Sequence, residues 1–283
     1  MLTKNMCCTA SVDSKSNISL HYLQKLDTAK ELVVFIQGLG GTAYKVVKTK
    51  NSKCKAANKN QCSNIIYSAF CNQLLNLFPN SNIALLEYPV DLLFYRNKEA
   101  ESFKQVLANC KIALAHACRI EYNSLIFIGH CLGGFIATNC LPTLLLDYEN
   151  KKIPKPISKI KNCAITVFLL DAPYDVESDK ISNWFQGLMT LLQLSEADFH
   201  NNAIEWRVLL DEYKNTNETQ FYSVLASEPS WVSDLMPTAD LAPEQVFYVN
   251  QNHDQLLKMS QVKPYSEVIM VIEKHLNKTG VST

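Results

Sequence analysis

The sequence predicts an α/β fold, with a mostly parallel sheet and helices on both of its faces. Two observations carry this prediction. Short apolar runs rich in β-branched residues alternate along the chain with longer segments of helical period. A length of 283 residues with 47% hydrophobic residues suits one large domain with insertions, 1–283, rather than several small ones.

The elements follow in order. "ISLHYLQ" (18–24) reads as an early strand, and "ELVVFIQ" (31–37) as a buried strand that runs into "GLGGT". "NIIYSAFCNQLLNLF" (64–78) has helical spacing, and "SNIALLEYP" (81–89) is the next buried strand. A helix over 98–120 leads into the strand "SLIFIG" (124–129), and a helix over 132–148 follows it. "AITVFLLDAP" (164–173), "QFYSVLAS" (220–227) and "QVFYVNQ" (245–251) complete the strands, and "YSEVIMVIEKHL" (265–276) is the last helix.

Two stretches interrupt the alternation. Residues 45–61 are lysine-rich and polar, which suits a solvated loop or a docking patch for an acidic carrier or a phosphate group. Residues 175–216 carry two helical apolar patterns between strands, with Trp184, Phe185, Leu188, Leu191 and Leu192 in the first. An insertion there reads as a helical lid.

Whole-chain composition excludes several classes. Lys+Arg and Asp+Glu are both 27, so formal net charge is zero and nucleic acid is not the expected partner. The first twenty residues lack the apolar segment of a secretory signal, and no apolar run reaches the roughly 20 residues of a membrane helix. Ten cysteines show no C-x-x-C pair, and several sit inside apolar segments, so they read as reduced thiols of a cytoplasmic protein. No metal or bound cofactor is expected.

The chemistry concentrates at "IFIGHCLGGF" (126–135). A strand ends at Gly129, a helix begins at Leu132, and only His130 and Cys131 connect them. So sharp a turn holds its central residue in a strained conformation with the side chain presented outward. The N–H of Leu132, at the helix N-terminus, is placed to meet charge developing on a substrate, and the helix dipole favours a thiolate at Cys131. Neither the dinucleotide fingerprint nor the Walker pattern is matched.

A nucleophile elbow requires partners. A second oxyanion donor is expected from "GLGGT", at the N–H of Leu39 with Gly38 or Gly40 as alternates. An acid and then a histidine should follow downstream. Of six histidines, His21 and His116 precede the motif, His200 falls in the insertion and His275 on the last helix. His130 is taken up in the turn and is expected to point away from the site. His253, in the loop after a late strand, has the required position. Asp171 ends the strand after the elbow strand and is the acid, with Glu228, Asp234, Asp175 and Asp254 as alternates.

With these residues in view, the chain resembles the α/β-hydrolase superfamily over about residues 31–276. Within it, the chain is most similar to thioesterases that release acyl chains from polyketide, peptide and fatty-acid synthases. "GHCLGG" stands where they carry G-x-S-x-G-G, and "LLDAPYD" resembles their aspartate-bearing strand end. "EWRVLLDEY" resembles the helix before their next strand. The resemblance implies the α/β-hydrolase fold, a Cys131–His253–Asp171 triad and an acyl thioester substrate, on CoA or on a carrier protein. Cysteine at the elbow also occurs in dienelactone hydrolases and polyhydroxyalkanoate synthases. An ester or lactone hydrolase, or a non-catalytic ligand-binding protein of this fold, is therefore the alternative expectation.

Overall fold

A computed structural model describes residues 9–11, 18–38, 62–88, 102–118, 122–146, 163–173, 183–213, 219–228, 241–257 and 266–278. Eight strands form one sheet: β1 (Thr9–Ser11), β2 (Ser19–Gln24), β3 (Glu31–Ile36), β4 (Asn82–Glu87), β5 (Ser124–His130), β6 (Ala164–Leu170), β7 (Thr219–Ala226) and β8 (Val246–Val249). Their spatial order is β1-β2-β4-β3-β5-β6-β7-β8. β1–β2 and β2–β4 pair antiparallel, and every pair from β4–β3 onward is parallel. The predicted strands are all present. β1 was not foreseen, because three residues offer no alternation to read.

The helices are α1 (Cys62–Leu77), α2 (Phe103–Ala117), α3 (Leu132–Leu146), α4 (Asn183–Leu192), α5 (Glu196–Tyr213) and α6 (Glu267–Lys278). α2 starts later than its apolar pattern suggests because Ser102 caps it, accepting from the N–H of Gln105 at 3.3 Å. β6 stops before the predicted residue 173 because Asp171 turns out of strand geometry, with φ 45°.

The pleat divides the strands between two cores. Leu32, Val34 and Ile36 of β3, with Leu125 and Phe127 of β5, face α2, α3 and α5. Val33, Phe35, Ile126 and Ile128 face α1 and α6 through Phe70, Leu74, Val268 and Ile272. α3 is apolar around most of its circumference because it lies between the sheet and the other helices, with Leu132, Phe135, Ile136, Cys140 and Leu144 all buried.

The predicted insertion forms α4 and α5. Gln193, at φ 56°, breaks the chain between them. Ser195 and Asp198 then cap α5 reciprocally, Asp198 N–H to Ser195 Oγ at 3.3 Å and Ser195 N–H to Asp198 Oδ2 at 2.8 Å. Phe199 lies 4.4 Å from Phe135 of α3 and 5.3 Å from Phe185 of α4, ring centre to ring centre. Trp206 is fully buried, edge-on to Phe221. Asn202 Nδ2 donates to Thr138 Oγ1 at 2.9 Å, and Lys104 of α2 pairs with Asp198 at 2.9 Å. The pair therefore rests on α3, the helix that leaves the Cys131 turn. No helix among the described residues is long and apolar enough to cross a membrane. Cys71, Cys110, Cys118, Cys131, Cys140 and Cys163 are buried thiols.

Close approach of α3 to β3 depends on Gly133. A Cβ there would sit 2.1 Å from the carbonyl oxygen of Ile36 and 2.5 Å from that of Gln37. Both are main-chain atoms at the end of a central strand, so neither can yield cheaply. Gly133→Ala is expected to destabilise the fold by about 3 kcal/mol through overpacking. A urea unfolding midpoint unchanged from wild type would contradict this packing.

Candidate active site

Three strand ends converge at the carboxyl edge of the sheet. β5 ends at His130, and Cys131 occupies the one-residue turn before α3 with φ 53°. Left-handed backbone in a non-glycine residue costs about 1–3 kcal/mol and persists only where its surroundings dictate it. Here they do. Cys131 N–H donates to the Leu170 carbonyl of β6 at 3.0 Å, and the Cys131 carbonyl accepts from Gly134 N–H at 2.9 Å. The elbow is thus tied to the neighbouring strand on one side and to its own helix on the other.

Asp171 lies one residue past β6 and is also left-handed. Its N–H donates to the Val224 carbonyl of β7 at 2.8 Å, and its Oδ1 accepts from Ala226 N–H at 3.3 Å. The other carboxylate oxygen, Oδ2, lies 2.5 Å from His253 Nδ1. His253 opens a short 3-10 turn after β8, which Asn252 caps by accepting from Gln255 N–H at 3.0 Å. Leu256 and Leu257 anchor the turn in the α1/α6 core. On its far side the His253 ring hydrogen-bonds Cys131. Cys131, His253 and Asp171, predicted from separate stretches, are therefore brought together, and all three are at least nine-tenths buried.

The electrostatics follow from these contacts. Burial opposes a charge on His253, but its hydrogen bonds to Asp171 and Cys131, and their charges, outweigh it and raise its pKa to about 10. These contacts favour the protonated ring.

Leu132 is the first residue of α3, so its N–H is one of those left without an intrahelical acceptor. Leu39 and Gly40 lie outside the described residues. Gly38 is described, and it packs against the elbow: a Cβ there would fall 2.6 Å from Cys131 Cβ. The Tyr88 hydroxyl donates to the Gln37 carbonyl at 2.5 Å, fixing the exit of β3 just before this loop.

The remaining sequence candidates are elsewhere. Glu228 is exposed beyond β7, Asp254 follows His253 in its turn, and Asp175, Asp234 and the 45–61 stretch lie outside the described residues. His21 contacts Glu87 at 2.6 Å across β2 and β4. His275 bonds the Val271 carbonyl within α6, and His116 and His200 are exposed on α2 and α5. Among the described residues no group of three His, Cys, Asp or Glu side chains is placed to hold a metal ion.

One expectation is corrected. His130 does not point away from the site. Its ring stacks on that of His253, with centroids 5.3 Å apart and planes inclined by 26°. The pleat held the missing signal. Ile126 and Ile128 face the α1/α6 core, so His130, two residues on, faces the same side, where the turn carrying His253 packs.

No protein-family model matches the sequence, and no curated protein matches it. Solved structures do. A candidate thioesterase from Silicibacter sp. superposes with a TM-score of 0.54 at 12% identity, over 95% of this chain and 84% of its own. A carboxylesterase of the thaumarchaeon Nitrososphaera gargenis gives 0.54 at 9% identity, over 98% and 100%. The Francisella virulence factor BioJ gives 0.53 at 14%, over 98% and 86%. Together with the mostly parallel sheet, these likenesses establish the α/β-hydrolase fold.

Proposed function

We propose that this chain is an acyl-thioesterase or acyltransferase whose nucleophile is Cys131, assisted by His253 and Asp171. The observation that carries the reading is the unbroken line of contacts from Asp171 Oδ2 through the His253 ring to Cys131, on a turn strained at the nucleophile. The thioesterase and carboxylesterase descriptions of its structural neighbours favour acyl transfer chemistry.

The contacts of His253 with Asp171 and Cys131 favour its protonated form and so make it a proton donor, and Cys131 reacts as the thiolate. The thiolate attacks the acyl carbonyl, and the oxyanion is met by the N–H of Leu132 and, in this reading, of Leu39. His253 then gives its proton to the leaving thiol, and the acyl group rests on Cys131 as a thioester. Exchange of one thioester for another is nearly isoenergetic, so a cysteine enzyme enters this intermediate from a thioester more evenly than a serine enzyme would. Neutral His253 next takes a proton from water or another acceptor, which releases the acyl group. The substrate carrier is CoA or a phosphopantetheine arm, and α4 and α5 form the lid over the acyl chain.

Iodoacetamide labelling at pH 7 tests the nucleophile. Cys131 should react at least tenfold faster than Cys118 and Cys140, whose thiols burial pushes up to about 12. Matched acyl thioesters and oxyesters then test the substrate class, with thioesters expected to turn over faster. Equal labelling of all thiols would sink the nucleophile assignment. A preference for lactones or oxyesters would move the chain to the ester-hydrolase alternative.

A further inference from the structure

The histidine beside the nucleophile has no part in the triad reading, yet it is buried against His253. His130 is the last residue of β5 and is 7% exposed. Its ring stacks on His253 at 5.3 Å and hydrogen-bonds the His253 main chain. The third side of the ring is closed by the loop after β3: a Cβ on Gly38 would lie 3.0 Å from His130 Nδ1. Only a residue without a side chain lets that loop pass. His130 therefore touches the histidine of the triad through both ring and backbone, while the elbow holds it one residue from Cys131.

We propose that His130 is a positioning residue for His253: a neutral imidazole whose hydrogen bond and stacked ring keep the His253 ring in line between Asp171 and Cys131. The proposal rests on the triad reading above. Three groups described here face the His253 ring: the Asp171 carboxylate from the end of β6, the Cys131 sulfur from the elbow, and His130 from β5. Two of these support positive charge on His253. The third must then be uncharged, since two imidazolium rings in contact in a dry pocket would repel. Burial is the largest effect lowering the His130 pKa, to about 3, and the charge of His253 adds to it. The division of labour is between one ring that carries the proton and one that carries none but fixes where the first ring stands.

The turn after β8 gives this contact its purpose. The 3-10 segment bearing His253 is only three residues long. Its own bonds, Gln255 N–H to Asn252 Oδ1, Leu256 N–H to the His253 carbonyl at 3.4 Å and Asn250 N–H to Glu267 at 2.9 Å, hold the main chain of the turn and not the imidazole ring. A bond from the elbow strand to the His253 main chain references the ring directly to the nucleophile.

The test uses ring-labelled histidine NMR on the full chain, with Cys131 alkylation measured in parallel. In wild type at pH 7, His253 should be cationic and His130 neutral, and His130 should remain neutral down to pH 5. His130→Phe keeps the ring and removes the donor; the His253 midpoint should fall by at least one pH unit and Cys131 alkylation should slow about tenfold or more. His130→Gln keeps a donor and should restore most of both. The proposal is overturned by titration of wild-type His130 near pH 6.5, by His130→Phe behaving as wild type, or by equal losses in both variants, which would reduce His130 to packing. The wild-type titration stands even where a variant fails to fold. Slow alkylation of wild-type Cys131 with the His253 and His130 states as expected would instead defeat the nucleophile reading and leave the positioning intact.

Discussion

Cys131→Ala should lose turnover by about 10⁴-fold or more, because without a nucleophile only binding and the oxyanion donors remain. It should also lose the acyl adduct that intact-mass spectrometry detects on wild type after mixing with an acyl thioester. Cys131→Ser is the sharper comparison. A serine hydroxyl must surrender its proton to a neutral base, and the Asp171 contact, which survives the substitution while that of Cys131 does not, still favours the cation on His253. The serine variant should therefore be nearly inactive at pH 7 and gain activity as pH rises, while the wild-type rate changes little over the same range. Serine activity equal to wild type at pH 7 would show that His253 rests neutral beside the serine and that Asp171 alone does not hold the cation.

Asp171→Asn is expected to lower kcat/KM by about 10²–10⁴-fold, as loss of the histidine's orienting carboxylate does in triads generally. The substitution is clean in one respect: asparagine tolerates left-handed backbone, so the φ of 45° at this position need not change. It should also alter how stability depends on pH. His253 has its folded pKa raised above the ordinary 6.5, so its contribution is complete below about 6.5 and is lost as pH rises toward about 10. His130 is shifted the other way, to about 3, so the folded state resists a proton that the unfolded chain accepts, and stability falls as pH drops below 6.5. Wild type should therefore be most stable near neutrality, with both limbs amounting to a few kcal/mol. In Asp171→Asn the limb between pH 6.5 and 9 should flatten while the acid limb stays. Above that window the buried thiols of Cys118 and Cys140 begin to contribute, so it is the range that isolates His253. An unchanged alkaline limb in thermal melts across pH would remove His253–Asp171 from the account.

Much of this arrangement was legible because its signals are local. The elbow is spelled by adjacent residues, and buried parallel strands announce themselves as apolar runs such as "VVFI" and "LIFI". His253 and Asp171 followed from their places just past such runs. Other features depend on contacts between distant segments. Nothing near Asp171 states that it will be left-handed; the bonds to Val224 and Ala226 of β7 impose that. The role of His130 depends on the turn after β8 packing under the elbow. The pleat parity that points it there is readable only once the two faces of the sheet are known.

The two left-handed residues of the site have a consequence for how this protein can change. Cys131 and Asp171 end adjacent strands, and glycine would adopt either backbone shape without strain. A variant carrying glycine at both would shed that strain and give up the chemistry. Selection for robustness alone and selection for turnover thus pull these two positions apart. β-branched residues fit neither demand, so the sequences open to this corner of the fold are few: small or Asx-like side chains that accept the turn, among which only some can react.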